Sequence, residues 1–451
     1  MATFDKKAPG VYVEEISKLP PSVASVATAI PGFVGYTERG TKNTAIRVES
    51  LIDFEEKFGY ACKIAISEED KINGLEYKLH ESMRLFYANG GGICYVVSVG
   101  NYTDAISNTA LETGISMLEP IDEVTMIVVP DAVSLEIKDL ASVQNAALAQ
   151  CLELKDRVAI LDVKDTGNCN TDATNFRNSI GTKGASYGAA YYPYIKSVYD
   201  REINVYDIYK GLELSNQELE NAQYYAELSE PTEESTLFAK QLMSKPEYAK
   251  LVAKIQEQAN LLPPSGAIAG IYCANDNQRG VWHAPANMSV SGISDINVRI
   301  SDKQQGELNE NTSGKCINAI RAFQGKGILV WGARTLDGLS SEWKYISVRR
   351  FFNYVEESIQ ESTAWAVFQP NDANTWEKVR CQIENFLSNL WRDGALAGST
   401  PQEAFYVRVG INQTMTAQDI LNGYMIVEIG MAAVRPAEFI VLQFSHKLQE
   451  S

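Results

Sequence analysis

The segments Val124-Thr125-Met126-Ile127-Val128-Val129, Leu140 to Leu154 and Val158-Ala159-Ile160-Leu161-Asp162-Val163 read in turn as strand, helix and strand. Upstream, Tyr77 to Tyr87 reads as a helix and Ile93 to Val99 as a strand. Short apolar runs alternating with helical stretches argue for an α/β sheet, and parallel neighbours need the long crossovers such helices supply. The expected fold is therefore α/β, a mixed α+β chain of several domains.

Working outward, Ile30-Pro31-Gly32-Phe33-Val34-Gly35-Tyr36 reads as another strand, fed by a small-residue linker from Ser22 to Ala29. From about Ser197 to Leu262 the composition changes: between Gly211 and Glu234 there are seven acids and no Lys or Arg. One helix is expected from Thr236 through Ala259, making residues 197–262 a solvated helical insertion. A second α/β unit is expected to begin at Ala267-Ile268-Ala269-Gly270-Ile271-Tyr272 and to include the strand Gly327-Ile328-Leu329-Val330-Trp331-Gly332 and a helix from Trp343 to Thr363. Trp376, Val379, Ile383, Phe386, Leu387, Leu390 and Trp391 recur three or four residues apart, the mark of an amphipathic helix, and Gly394 stops it. Strands follow at Ala404 to Val409 and Tyr424 to Ile429, with Asn412-Gln413-Thr414 in the loop between them. The expected divisions are 1–30, 31–266, 267–435 and 436–451.

Both ends read as strands without a hairpin partner beside them: Gly10-Val11-Tyr12-Val13-Glu14-Glu15-Ile16, and Phe439-Ile440-Val441-Leu442-Gln443-Phe444. Pro9 precedes the first and Arg435-Pro436 the second, so each is punctuated as an extended arm. A strand's backbone groups must be paired when buried, and an open apolar edge is a template for another chain. Each arm either pairs within its own domain or joins separate copies.

The chain has 451 residues, 45% of them hydrophobic, enough for two or three domains. A formal charge of −17 argues against a nucleic-acid surface, which needs clustered Lys and Arg. No apolar run approaches the ~18 residues of a membrane span, and Met1-Ala2-Thr3-Phe4-Asp5-Lys6-Lys7 lacks the apolar core of a secretion signal, so synthesis and folding in the cytosol and no membrane insertion are expected. Seven scattered cysteines without a C-x-x-C pair, and the separated His80, His283 and His446, predict reduced thiols and no metal site.

Three local patterns imitate chemistry. Gly184-Ala185-Ser186-Tyr187-Gly188 matches the G-x-S-x-G turn of serine hydrolases, which would make Ser186 a nucleophile. The residues before it are too polar for the buried strand that turn requires. Gly35-Tyr36-Thr37-Glu38-Arg39-Gly40-Thr41-Lys42 resembles a phosphate loop with its lysine one place late. Arg349-Arg350 beside Phe351-Phe352 suits a helix carrying ion pairs better than a nucleic-acid contact, given the net charge. No catalytic residue, cofactor or metal is expected, and the chain reads as a non-enzyme.

Several phrases stand out when taken in order: Pro9-Gly10-Val11-Tyr12-Val13-Glu14-Glu15, Pro263-Pro264-Ser265-Gly266 with Ala269-Gly270-Ile271-Tyr272, and Arg279-Gly280-Val281-Trp282 with Ala284-Pro285-Ala286-Asn287. Further on stand Val330-Trp331-Gly332-Ala333-Arg334-Thr335-Leu336, Tyr345-Ile346-Ser347-Val348-Arg349-Arg350, Trp391-Arg392-Asp393-Gly394-Ala395-Leu396 and Pro436-Ala437-Glu438-Phe439-Ile440. In this order they resemble the contractile tail sheath family of phages, tailocins and related injection particles. The resemblance implies a structural subunit that stacks as hexameric rings around an inner tube, in a helical sheath that contracts to drive the tube through a target envelope. It implies homo-oligomers, an inner tube protein, baseplate and terminal cap proteins as partners, and assembly in the bacterial cytoplasm into a phage tail or tail-like particle. Residues 267–435 would be the inner domain and 31–266 the outer one. Val11, Tyr12, Val13, Glu14 and Glu15, with Phe439, Ile440, Val441, Leu442 and Phe444, would be intersubunit arms. The helix around Trp376 to Trp391 would touch the tube through Lys378, Glu384 and Asn385. A tube or baseplate component of the same machine is the neighbouring alternative.

Overall fold

The computed structural model describes residues 23–67, 71–228, 230–310 and 312–439. Val11 to Glu15 and Ile440 to Phe444 lie outside the described residues. The chain divides into two compact units, one holding Ser358–Ala432 with residues up to Ser25, the other Val26–Glu357 with residues from Ala433 onward.

In the larger unit, nine strands form one sheet. Their order is Met288–Ser289, Gly327–Val330, Ile317–Phe323, Gly188–Tyr192, Val158–Asp162, Met126–Val128, Pro31–Gly35, Cys94–Ser98 and Ala45–Val48. The six strands from Ile317–Phe323 to Cys94–Ser98 are parallel, with antiparallel strands on both flanks. Residues on either side of position 266 thus share a single sheet, and Ala267–Tyr272 lies within the helix Ser265–Arg279 that packs on it.

The apolar runs explain why this sheet is covered on both faces. Met126, Val128, Val158 and Ile160 join one core with Phe33, Val96 and Phe86, whereas Ile127, Ala159 and Leu161 join the opposite core with Val34, Val97 and Leu148. Successive side chains alternate faces, so a strand buried on both sides must be apolar at every position. The helix Ile137–Leu154 covers one face, and Leu79–Ala88 and Ser265–Arg279 cover the other. These last two helices approach backbone to backbone: a Cβ on Gly266 would lie 2.5 Å from the Ser82 carbonyl oxygen, and one on Gly270 would lie 2.4 Å from that of Phe86.

Both helices begin on buried carboxylates. Asp131 accepts from the Tyr36 and Lys78 amides at 2.7 and 2.5 Å, and Asp162 accepts from the Ser265 amide at 2.9 Å. Orphan amides of a helix's first turn need such acceptors. Burial pushes the Asp131 carboxyl up to about 6 and that of Asp162 up to about 7, against the lowering pull of these hydrogen bonds.

The expected single helix from Thr236 to Ala259 is two helices, Glu233–Met243 and Pro246–Ala259. Pro246 lacks an amide hydrogen and disfavours helical backbone before it, and Lys245 is accordingly extended at φ −71°, ψ 137°. The acidic segment 211–234 includes the helix Asn216–Ala226, whose Ser215 and Glu218 form a capping box. Val205, Tyr209, Leu212, Ala222, Phe238 and Leu242 give this part a small apolar cluster of its own.

In the smaller unit, the helix Ala373–Arg392 buries Val379, Ile383, Phe386, Leu387 and Leu390, the stripe expected from its spacing. Asp372 caps it by accepting from the Thr375 amide at 3.0 Å. Strands Phe405–Val409 and Val427–Met431 pair antiparallel, with Phe405 opposite Met431 and Val409 opposite Val427. The second begins later than the expected Tyr424 because Gly423, at φ +82°, and the bond from the Tyr424 amide to the Asp419 carbonyl close a turn there.

Candidate assembly surfaces

The two-stranded sheet of Phe405–Val409 and Val427–Met431 has open edges. Among the described residues, each of its strands has one neighbour, which leaves both outer edges without a ladder partner. Val407 and Val409 face inward, while Tyr406 and Arg408 face out. The exposed Tyr406 ring lies against Gly430, its hydroxyl bonds Glu428 at 2.8 Å, and the Arg408 guanidinium lies 4.6 Å from the ring centre. An isolated two-stranded ribbon is marginal in water and gains from further strands.

On the Ala373–Arg392 helix, Lys378 and Asn385 are exposed, seven residues apart and so on one face. Glu384 is half-buried and receives Arg380 at 3.1 Å, while Arg380 also reaches Glu377 at 2.6 Å. The structure thus leaves Lys378 and Asn385 presented outward and ties Glu384 to its own helix.

The larger unit carries a second feature, at the root of the C-terminal segment. Glu438 receives the Arg334 guanidinium through Nε at 2.9 and 3.1 Å and through Nη2 at 2.6 Å. The Tyr345 hydroxyl adds a bond at 3.1 Å. Burial raises the Glu438 carboxyl, but the Arg334 hydrogen bonds and charge, with Tyr345 and Lys344, outweigh it and hold the group below its ordinary value. Phe439, the one described residue of the expected C-terminal arm, is 72% exposed. The sequence reading quoted Arg334 and Glu438 inside separate phrases and missed the pair. An arginine within the otherwise small or apolar run Val330-Trp331-Gly332-Ala333 was the available signal.

The chemical look-alikes resolve differently. Ser186 sits in the short turn Ala185–Tyr187 that leads into the strand Gly188–Tyr192, the reverse of the strand-to-helix elbow a hydrolase serine occupies. His80 is hydrogen-bonded to Glu55 and His283 is exposed, neither is hydrogen-bonded to Ser186, and His446 lies outside the described residues. In the loop after Gly35, the Tyr36 amide serves the Asp131 carboxylate, an anion built into the protein where a phosphate would have to sit. Arg350 pairs with Asp276 at 2.6 Å, and Arg349 stacks on Trp343 at 3.9 Å and bonds Asn353, so both are internal. All seven cysteines are free thiols. No helix among the described residues is long and apolar enough to cross a membrane.

A parallel-centred sheet with a separate two-stranded ribbon is the fold of contractile sheath proteins. A model of the phage tail sheath protein central domain matches residues 104–336, and one of the phage tail sheath C-terminal domain matches residues 340–447. The sheath of an extracellular contractile injection system, PVC, in its contracted state is 32% identical with a TM-score of 0.69, covering 99% of this chain and 99% of that one. The helical sheath of the anti-feeding prophage, also contracted, is 30% identical at 0.67, covering 97% and 99%. The tail sheath protein of Vibrio phage KVP40 is 23% identical over 192 residues, 42% of this chain and 27% of that protein. That of Enterobacteria phage T4 is 25% identical over 126 residues, 28% of this chain and 19% of that protein, so the matches span well under half of these curated relatives. The chain belongs to the phage tail sheath family and is a structural sheath subunit.

Proposed function

We propose that copies of this chain stack as hexameric rings around an inner tube and that the resulting sheath contracts to push the tube through a target envelope. The observation that carries this reading is the ribbon Phe405–Val409 and Val427–Met431, whose outer edges have no partner among the described residues. The segments at 11–15 and 439–444 are rich in the β-branched and aromatic residues that strands favour. Arms of neighbouring copies would extend the ribbon to a stable sheet, with main-chain hydrogen bonds supplying affinity and side-chain pockets supplying register.

In this reading Ser358–Ala432 faces inward, and Lys378 and Asn385 meet the tube. Residues 23–30 act as a tether that changes shape while paired strands stay paired. Baseplate and cap proteins close the ends, and the particle assembles in the bacterial cytoplasm. The decisive experiment removes residues 1–17 or 440–451 and follows both monomer folding and tube formation by electron microscopy. Folded monomers without tubes are expected from each deletion; tubes of normal yield from either would overturn the arm reading.

A further inference from the structure

From Val434 to Phe439 the chain forms neither helix nor strand, yet one side chain of this stretch is turned inward and held. The Glu438 side chain is 20% exposed, and the arginine that receives it is 1% exposed. Arg334 is itself fixed on every side. Its Nη1 donates to the Asn309 carbonyl at 2.9 Å, and its amide donates to Asn318 Oδ1 at 2.7 Å. Asn318 Nδ2 donates in turn to the Arg334 carbonyl at 2.8 Å and to the Ala190 carbonyl at 3.1 Å. Asn318 is fully buried in the strand Ile317–Phe323, and Ala190 lies in the adjoining parallel strand Gly188–Tyr192. A continuous polar path therefore runs from Glu438 into the interior of the nine-stranded sheet.

Such a path has a cost that packing alone would not select. Burying an arginine and a carboxylate together is often no better for stability than an apolar pair, and its best-attested use is to fix one arrangement among several. A forked guanidinium also shares load between parallel hydrogen bonds, which a single-point contact does not.

We propose that the Arg334–Glu438 pair is the anchor of the C-terminal arm: it fixes the point at Phe439 from which the arm departs and carries the pull of a neighbouring copy into the central sheet. The inference rests on the arm reading above. Glu438 is a positioning residue, acting through the segment it holds. With the anchor intact, the arm leaves from one place in one direction. Without it, slack from Val434 onward would blur both reach and register, and a one-residue slip presents the wrong face of a strand.

The test compares full-length Glu438→Gln, Arg334→Lys, Leu161→Ala and the 440–451 deletion. Leu161 lies in the strand Val158–Asp162 of the same sheet, 4% exposed and outside the charged pair, and serves as a stability control. Monomer melting temperature and the critical concentration for sedimentable tubes are measured for each. Expected are an increase of about tenfold or more in critical concentration for Glu438→Gln and Arg334→Lys, and a near-normal value for Leu161→Ala despite an equal or larger fall in melting temperature. Assembly that follows melting temperature across all three substitutions would overturn the anchor, as would normal assembly of both Glu438→Gln and Arg334→Lys. If the deletion also assembles normally, the arm reading fails with it; if the deletion alone blocks tubes, only the anchor is lost.

Discussion

The nine-stranded sheet and the two-stranded ribbon solve the same problem in opposite ways. The large sheet finishes itself: helices cover both faces, and it tapers to the two-residue strand Met288–Ser289 at one edge and the four-residue Ala45–Val48 at the other. Short edge strands give another chain little to pair with. The ribbon has one face on the Ala373–Arg392 helix, and among the described residues neither of its five-residue strands has a second ladder partner. The large sheet is complete within the described residues, and under the proposed function the ribbon is the part that neighbouring copies extend. Truncations of similar size should therefore register in different measurements.

The largest effect is expected where the sheet is closed. Ile160→Ala, at a residue 2% exposed in the core that includes Met126 and Val128, should cost about 2–5 kcal/mol of monomer stability in urea unfolding. A loss below about 1 kcal/mol would mean that the sheet is less tightly packed than its burial indicates.

Acidification separates the two carboxylates on which the larger unit leans. Asp162 has a folded value of about 7, above the ~3.9 of an unfolded chain, so its ionisation opposes folding; the unit should lose stability as pH rises between those values. Asp162→Asn keeps an acceptor for the Ser265 amide and should flatten that slope, by up to about 1.4 kcal/mol per unit of pKa difference. Glu438 behaves in reverse. Its value is lowered, so the stability it contributes is present above the ordinary carboxylate value and lost as pH falls through its folded value. The groups facing it are Arg334, Lys344 and Tyr345, with Arg435 close enough to act on Tyr345. Melting temperature from pH 7.5 to 3 for the parent, Asp162→Asn and Glu438→Gln checks both signs, and a parallel slope in all three would contradict them.

Tyr406→Ala sharpens the contrast at the ribbon. It removes an exposed ring resting on Gly430 and should cost the monomer less than about 1 kcal/mol. Tube formation should fall far more than monomer stability, because a partner strand laid beside the ribbon would cover this face. Equal losses in both measurements would place Tyr406 in the monomer's own packing.

The same division governs how much could be read from residues alone. Strands buried on both faces write themselves as unbroken apolar runs, and Met126–Val128 and Val158–Asp162 were legible for that reason. So was the Ala373–Arg392 helix, whose stripe follows from its period. Strand order was not legible: Pro31–Gly35 sits between Cys94–Ser98 and Met126–Val128, a placement fixed by contacts distant in the chain. Pro246 signalled a helix break inside a run whose composition is otherwise helical on both sides of it. The Arg334–Glu438 pair spans 104 residues and repeats no spacing, so local pattern could quote both members without joining them. The strand reading of the two arms falls almost wholly outside the described residues.

The smallest effect is expected at Ser186, and its smallness is informative. The serine is half-buried in the turn before Gly188–Tyr192, and neither described histidine is hydrogen-bonded to it. Gly184 occupies the left-handed region at φ +74°, where a Cβ would lie 2.5 Å from the Leu148 carbonyl oxygen, and a Cβ on Gly188 would lie 2.5 Å from a Leu148 methyl. The two glycines of the G-x-S-x-G match are thus explained by the turn and its packing on the Ile137–Leu154 helix, leaving the serine between them unconstrained by either. Ser186→Ala should change monomer stability by no more than about 0.5 kcal/mol and leave tube yield at the parent level, whereas Gly184→Ala should destabilise through both strain and overlap. A Ser186→Ala protein that folds normally yet loses a measurable esterase activity of the parent would reverse this reading and restore the motif to chemistry.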